Sequence, residues 1–400
     1  MRNRQSAIFL LALAFRGLSA IVALFALLAF PLDRPIPSES TFWGRPSPFW
    51  DAMVPHDSGW YLAIARNGYD VSGAVAGGRS NIAFAPVYPL TMRYVGRLFG
   101  RSPGAFYLGG VVVSWLSFAF AMVALYRLAA LDLPSRRAER AALLTAIFPF
   151  SFFFGAVYTE SVFLLFTVLA FYGFRTRRWA IGGICGAVAT GTRVTGILMW
   201  PSLAWLAWRS IRPSDEDVVA GAVSPSTARQ RAAAVAALAA ATGGFVAFCA
   251  YNYRQTGNPL MWAAALTRWG SGYHPGGQPW LAPLALVRAL LTHPYAFLTS
   301  NPMAAYDTLY GVTALLFVAA TPIVWRRFGA AYGLFMALNL YVPLSTGTFE
   351  GLGRYCSVLF PCFIWLASIR SRRCSTIMVV VFGLFYTLAL ALFSTGRPLF

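Results

Sequence analysis

MRNRQSAIFLLALAFRGLSAIVALFALLAF, residues 1–30, decides the class of fold. From about residue 7 to residue 30 it is apolar except for Arg16, and Arg2 and Arg4 precede it. A helix needs about 20 apolar residues to cross the hydrocarbon core, so this run is long enough to span. It exceeds a typical signal-peptide core and has no small-residue cleavage site, which predicts an uncleaved first span with a cytoplasmic N-terminus. The remainder has the same character: of 400 residues 58% are hydrophobic, 16% aromatic and 11% charged, with mean hydropathy +0.60. A soluble surface needs about 25% charged residues. The expected fold is therefore an all-α polytopic membrane protein.

The net charge of +19 is carried entirely by arginine, for there is no lysine. The arginines sit in many short loops between apolar runs, a distribution that the positive-inside rule demands and that excludes a nucleic-acid footprint. Seventeen of them fall in loops expected to be cytoplasmic, against seven in the first outer loop, so their bias supports the orientation. Five scattered cysteines and three histidines without helical spacing imply neither a disulfide frame nor a zinc site.

Working outward from the first run, residues 31–103 form an extracytoplasmic loop, and a second span covers about 104–131. Residues 141–174 are too long for one helix and split near Pro149–Thr159; residues 179–208 split near Gly191-Thr192-Arg193. A cytoplasmic loop occupies 209–231, and a span follows at about 232–253. An outer loop then carries Trp262, Trp269 and Trp280 toward the membrane interface. The last spans are about 304–325, 329–345, 352–369 and 375–394, which makes about 11 transmembrane helices in one domain, 1–400.

The first outer loop contains the polar island Trp50-Asp-Ala-Met-Val-Pro-His-Asp-Ser-Gly-Trp-Tyr-Leu-Ala-Ile-Ala-Arg-Asn-Gly-Tyr69. The spacing of Trp60, Tyr61, Ile64 and Ala65 predicts a short interfacial helix over Ser58–Asn67, with Asp57 or Ser58 as its cap and Gly68 as its end. Tyr88–Arg97 predicts a second. Asp33, Glu39, Asp51, Asp57, Asp70, Glu160, Asp307 and Glu350 all fall on or near the outer side, which points to an outward-facing site.

Asp57 suits a helix cap and equally a general base for a hydroxyl acceptor. Asp51 can serve as the base, can orient His56, or can be a solvated loop acid. Glu160 and Arg193 lie at membrane depth, where a charge must be solvated, functional or paired, and the two can pair with one another across two spans. Arg354, in Gly351-Leu-Gly-Arg-Tyr355, is placed to hold a phosphate through its forked donors; Arg254 and Arg268 suit either phosphate or lipid headgroups. Trp60, Tyr61, Tyr88 and Tyr158 are interface anchors or platforms for sugar rings.

Asp57-Ser-Gly-Trp-Tyr-Leu-Ala-Ile-Ala-Arg-Asn-Gly-Tyr69, Phe84-Ala-Pro-Val-Tyr-Pro89, Phe148-Pro-Phe-Ser-Phe-Phe-Phe-Gly-Ala-Val-Tyr-Thr-Glu-Ser161, the Arg193 context, Thr256-Gly-Asn-Pro259, and Arg354-Tyr with Phe360-Pro361 resemble, in this order, PIG-V-type mannosyltransferases of the GT-C class of multi-span glycosyltransferases. The resemblance covers about residues 50–365. It implies an inverting transferase that moves a sugar, typically mannose, from a polyprenyl- or dolichyl-phosphate donor on the non-cytoplasmic face. The family's first-loop aspartate maps to Asp57; the tryptophan that usually precedes it here precedes Asp51, and Ala85 replaces an expected aromatic, so both carboxylates stay in view.

The expected activity is glycosyl transfer to a hydroxyl of a lipid or glycan, with Asp57 or Asp51 catalytic and His56, Trp60, Tyr61, Tyr88, Tyr158, Glu160, Arg193, Arg254 and Arg354 binding substrate. No metal ligand set is expected and no cofactor is required, although a divalent ion is compatible with the chemistry. The expected partners are the lipid-linked donor, a glycolipid or glycan acceptor and membrane lipids, in a bacterial plasma membrane. A multi-span transporter or flippase is the rival reading; it would favour an internal repeat and short outer loops, neither of which is found here. An inactive assembly partner is the third.

Overall fold

The computed structural model describes residues 2–32, 41–42, 45–46, 52–212, 227–268, 277–301 and 303–399. The chain opens with α1 (Arg2–Ala29), followed by the two-residue antiparallel strands β1 (Thr41–Phe42) and β2 (Arg45–Pro46). The first loop continues with α2 (Ser58–Asn67), α3 (Val71–Val75), a 3-10 turn at Asn81–Ala83 and α4 (Val87–Gly96). The long α5 (Pro103–Ala129) leads to α6 (Ser135–Ile147), α7 (Glu160–Arg175), α8 (Trp179–Thr192) and α9 (Trp200–Ile211). Next come α10 (Ala228–Ala241), α11 (Gly243–Thr256), α12 (Met261–Leu266), α13 (Leu281–Thr292) and α14 (Pro294–Leu298). The C-terminal part is α15 (Ala304–Phe328), α16 (Ala330–Leu344), α17 (Leu352–Ser357), α18 (Phe360–Ser368) and α19 (Arg372–Ser394).

Among the described residues α1, α5, α15 and α19 are long and apolar enough to cross a membrane, and α10 with α11, bent by 42°, brings the number to five if that pair is one span. These helices do not by themselves make up the about 11 spans read from the sequence; the remaining helices are shorter and stop at breaks. Two such breaks lie where the breakers predict them. The first runs from Phe148 to Thr159 and contains a 3-10 turn, Ser151–Phe154; the second leaves Arg193 extended at φ −143°, ψ 135° before a 3-10 turn, Val194–Met199.

Two expected spans are corrected. Residues 232–253 bend at Gly243-Gly244, because a Cβ on Gly244 would lie 2.1 Å from the Ala187 carbonyl oxygen: α11 rests directly on the α8 backbone. Residues 352–369 are two helices, since Pro361 at the start of α18 cannot continue the ladder from α17. The tryptophan-bearing segment expected on the outer side forms α12, α13 and α14; Trp269 lies outside the described residues.

The lipid-facing character of the long helices is visible in their exposed side chains, such as Leu10, Phe25 and Leu28 on α1 and Ile377 and Leu384 on α19. Between such helices no hydrophobic effect operates, so packing and polar contacts hold them together. The interior is dense around the first break, where Phe148, Phe150, Phe152, Phe153 and Phe154 are all buried. Arg16, which interrupts the apolar run of α1, is buried too. Its guanidinium donates to Ser151 O at 2.8 Å and Ala146 O at 3.1 Å, and lies 4.2 Å over the Phe118 ring. The charge thus supplies donors to carbonyls that the broken helix leaves unpaired. At the arginine-rich end of α7, Arg175 binds Asp132 through both terminal nitrogens and donates to the Tyr332 hydroxyl at 3.0 Å.

Candidate active site

Four charged side chains from four separated parts of the chain meet beside the first break. Arg354 on α17 donates from Nη1 to Asp57 Oδ2 at 2.7 Å and from Nε to Glu160 Oε1 at 2.6 Å. Arg193 donates from Nη1 to the same Glu160 oxygen at 2.7 Å. Glu160 is fully buried, Arg193 and Arg354 are nearly so, and the Asp57 side chain keeps 26% exposure. Two carboxylates balance two guanidiniums, so the cluster is neutral overall. Pairing of Glu160 with Arg193 was one of the sequence expectations; that Arg354 bridges the pair to Asp57 is visible only here.

Local geometry explains why each group points inward. His56 adopts φ 57°, a left-handed conformation costing a β-carbon residue about 1–2 kcal/mol, and its Nε2 lies 3.1 Å from Arg397 O. This kink is anchored on the break: Val157 N–H donates to Met53 O at 2.9 Å, Tyr158 hydroxyl donates to Pro55 O, and Asp57 N–H donates to the same hydroxyl, both at 3.1 Å. Ser58 Oγ donates to Pro55 O at 3.2 Å and reaches Val157 O at 3.3 Å. Asp57 occupies the cap position of α2 yet its carboxylate makes no capping bond. The expected side-chain cap is thus corrected: Asp57 has helical backbone angles, φ −64° and ψ −15°, and not the extended ones a capping residue needs, and its carboxylate is taken by Arg354. Gly68 ends α2 at φ 84°, as expected.

Arg354 is aimed by its neighbours. Gly351, in the left-handed region at φ 74°, starts α17, and a Cβ on Gly353 would lie 2.3 Å from the Phe150 ring. Only glycine lets α17 press on the break at this height. The guanidinium then lies 4.6 Å over the Tyr158 ring and 5.3 Å over Phe153, while Arg193 lies 5.0 Å from the Tyr355 ring.

The sequence candidates distribute unevenly. Asp57, Tyr158, Glu160, Arg193 and Arg354 converge. Tyr61 lines the wall, edge-on to Tyr158 at 6.2 Å and to Tyr88 at 5.2 Å, and burial pushes its hydroxyl pKa up so that it stays a neutral donor. Tyr88 stands behind it with its hydroxyl on Ser114 Oγ at 2.9 Å and Gly110 O at 3.2 Å, a packed position and not an interface anchor. Trp60 stacks on Phe84 at 6.3 Å. Arg254 is exposed on α11 and is not brought into the cluster. Arg268, read as a contact to phosphate or lipid headgroups, donates to Ala74 O at 3.2 Å. Asp51 and the loop core of 209–231 lie outside the described residues. Glu350 is grouped by sequence with the outer acids but not among the site candidates: partial withdrawal from water, then the charges of Asp57 and Asp307, hold its carboxyl pKa above the usual range. Its position one residue before Gly351 in the Arg354 motif was the available signal. Among the described residues no three of His, Cys, Asp and Glu converge as a metal set would.

Residues 38–262 match the family Mannosyltransferase (PIG-V), more than half of the chain. The chain belongs to this family. Asp57, Glu160 and Arg193 lie within the matched residues and Arg354 beyond them. No curated protein matches the chain. Among solved structures it is similar to the apo oligosaccharyltransferase of Archaeoglobus fulgidus, at 14% identity and a TM-score of 0.50, covering 97% of this chain and 56% of that one. It is also similar to ArnT from Cupriavidus metallidurans bound to undecaprenyl phosphate, at 14% identity and a TM-score of 0.46, covering 96% and 76%. The PIG-V-like chain thus spans little more than half the length of the oligosaccharyltransferase. Its fold is that of a GT-C-like polytopic membrane protein.

Proposed function

We propose that this PIG-V-family protein is an inverting glycosyltransferase that moves a sugar, mannose by family, from a polyprenyl-phosphate donor to a hydroxyl acceptor on the non-cytoplasmic face. The observation that carries the reading is the sharing of Arg354 between Asp57 and Glu160 beside a membrane-embedded break. A lipid-phosphate sugar brings a phosphodiester anion to membrane depth, and a forked cation with aromatic support suits its phosphate. Arg193, on the other side of Glu160, adds a second positive charge.

In the resting cluster the Asp57 carboxylate is occupied by Arg354. Donor phosphate competes for the same guanidinium; as Arg354 turns toward it, Asp57 is released. The freed carboxylate, still partly open to solvent, takes the proton of the acceptor hydroxyl. The acceptor oxygen bonds to the anomeric carbon while the bond from that carbon to the phosphate oxygen breaks, and its electron pair leaves with polyprenyl phosphate. Arg354 and Arg193 offset the charge gained by the phosphate, and back-side attack inverts the anomeric centre. In this reading arginine does the work that a divalent ion does elsewhere.

The test is transfer from radiolabelled polyprenyl-phosphate-mannose in membranes carrying wild type, Asp57→Asn or Asp51→Asn. Loss of transfer in Asp57→Asn with retention in Asp51→Asn is expected. Full activity of Asp57→Asn removes it as the base, and absence of transfer in wild type with any lipid-linked sugar removes the transferase reading.

A further inference from the structure

A second polar site lies at the opposite end of the bundle. Phe349 packs near Gly311 on α15, next to the Arg354 helix, whereas Arg327 ends the same helix; sixteen residues at about 1.5 Å rise separate the two levels by roughly 24 Å. Here a cavity of about 590 Å³ is lined by Arg137 of α6, Arg327 and Phe328 of α15, and Ser368, Ile369 and Arg370 at the end of α18. Arg140 Nη1 donates to Ile369 O at 3.0 Å and fixes this connection against α6.

Among the described residues no carboxylate balances the charge there. Among the described residues the acids on and just before α6 are already engaged: Glu139 accepts from Arg4 at 3.1 Å and Asp132 is held by Arg175. None of the described carboxylates bridges to Arg137, Arg327 or Arg370. Three arginines from three elements thus line one cavity whose other walls are Phe328, Ser368 and Ile369. Beside it α15 and α19 present exposed apolar side chains, Leu316 and Ile323 on one and Ile377 and Val381 on the other.

We propose that this cavity binds the phosphate headgroup of an anionic membrane lipid, its acyl chains lying along the apolar faces of α15 and α19. Arginine forks meet phosphate oxygens in a bidentate manner, and the apolar wall and helix faces suit the glycerol and acyl parts. Basic pockets between spans are sites of this kind, and each arginine near an anionic surface is worth about a fivefold change in affinity. The site is independent of the catalytic reading, since none of its residues contacts the Asp57 cluster.

The experiment titrates purified full-length protein in neutral detergent with phosphatidylglycerol, phosphatidylcholine or inorganic phosphate, reading melting temperature and retained lipid by native mass spectrometry. Phosphatidylglycerol is expected to raise the melting temperature and remain bound, with phosphatidylcholine inert. The double variant Arg137→Gln/Arg370→Gln should weaken that response roughly 25-fold, from two arginines at about fivefold each. The control Arg136→Gln/Arg373→Gln removes the same charge from the same end without touching the cavity and should bind as wild type does. Equal loss in the control, an equal response to phosphatidylcholine, or an equal response to inorganic phosphate would each overturn the assignment.

Discussion

Replacing Glu160 by glutamine should uncouple stability from chemistry in a way opposite to replacing Asp57 by asparagine. Glu160 is fully buried and accepts from both Arg193 and Arg354 on one oxygen, at 2.7 and 2.6 Å. Its neutralisation leaves a net charge of +1 at membrane depth, with Arg193 losing its only carboxylate partner among the described residues. Removing one member of a buried, hydrogen-bonded charge set costs about 3–5 kcal/mol. Asp57→Asn leaves the same net charge but at a carboxylate with 26% exposure, and Arg354 keeps Glu160, so a loss nearer 1 kcal/mol is expected. For transfer the order reverses: removal of the base lowers kcat by about 10²–10⁴. The assay pairs a detergent unfolding titration with transfer from radiolabelled donor, and adds Glu160→Gln/Arg193→Met. The double variant leaves neither member of that pair unpaired and should recover part of the stability lost in Glu160→Gln. Equal stability losses at the two acids, or additivity in the double variant, would refute the view that Glu160 holds the cluster together while Asp57 reacts.

Gly353→Ala should lower the melting temperature and reduce transfer together, because its Cβ would sit 2.3 Å from the Phe150 ring and push α17 and Arg354 off Glu160; pairing it with Phe150→Leu should restore part of both. Glu350 has a folded pKa above its unfolded value, so the folded state is favoured by protonation and loses stability as pH rises through the window above 4.5. Thermal melts of Glu350→Gln and wild type should therefore coincide near pH 4 and separate toward pH 7, with the variant the more stable. Transfer should survive exhaustive chelation with EDTA, the guanidiniums of Arg193 and Arg354 supplying the charge; loss of activity on chelation, restored by a divalent ion, would remove that assignment.

Much of the site was legible as types of residue at certain depths. Carboxylates on the outer side and arginines inside apolar runs are costly in lipid, so Asp57, Glu160, Arg193 and Arg354 stood out before any geometry was known. The breakers around Pro149 and Gly191-Thr192-Arg193 marked the breaks correctly because proline and glycine act on their own backbone. Pro361 acts equally locally, and the break between α17 and α18 was missed only because hydropathy is continuous across it. The bend at Gly243-Gly244 is different in kind: it depends on Ala187 and Gly191 of another helix.

Composition and arginine spacing by themselves determined a polytopic helical membrane protein with its acids gathered toward one side, since lipid admits few alternatives to helices and punishes each unpaired charge. The partners of those charges were decided by tertiary structure alone. Whether Asp57 caps its helix or meets Arg354 depends on residues 297 positions apart in the chain. The outcome rests on Gly353 fitting against Phe150, on the Pro55-His56 kink tied to Tyr158, and on the helical backbone angles of Asp57, which turn its carboxylate away from capping.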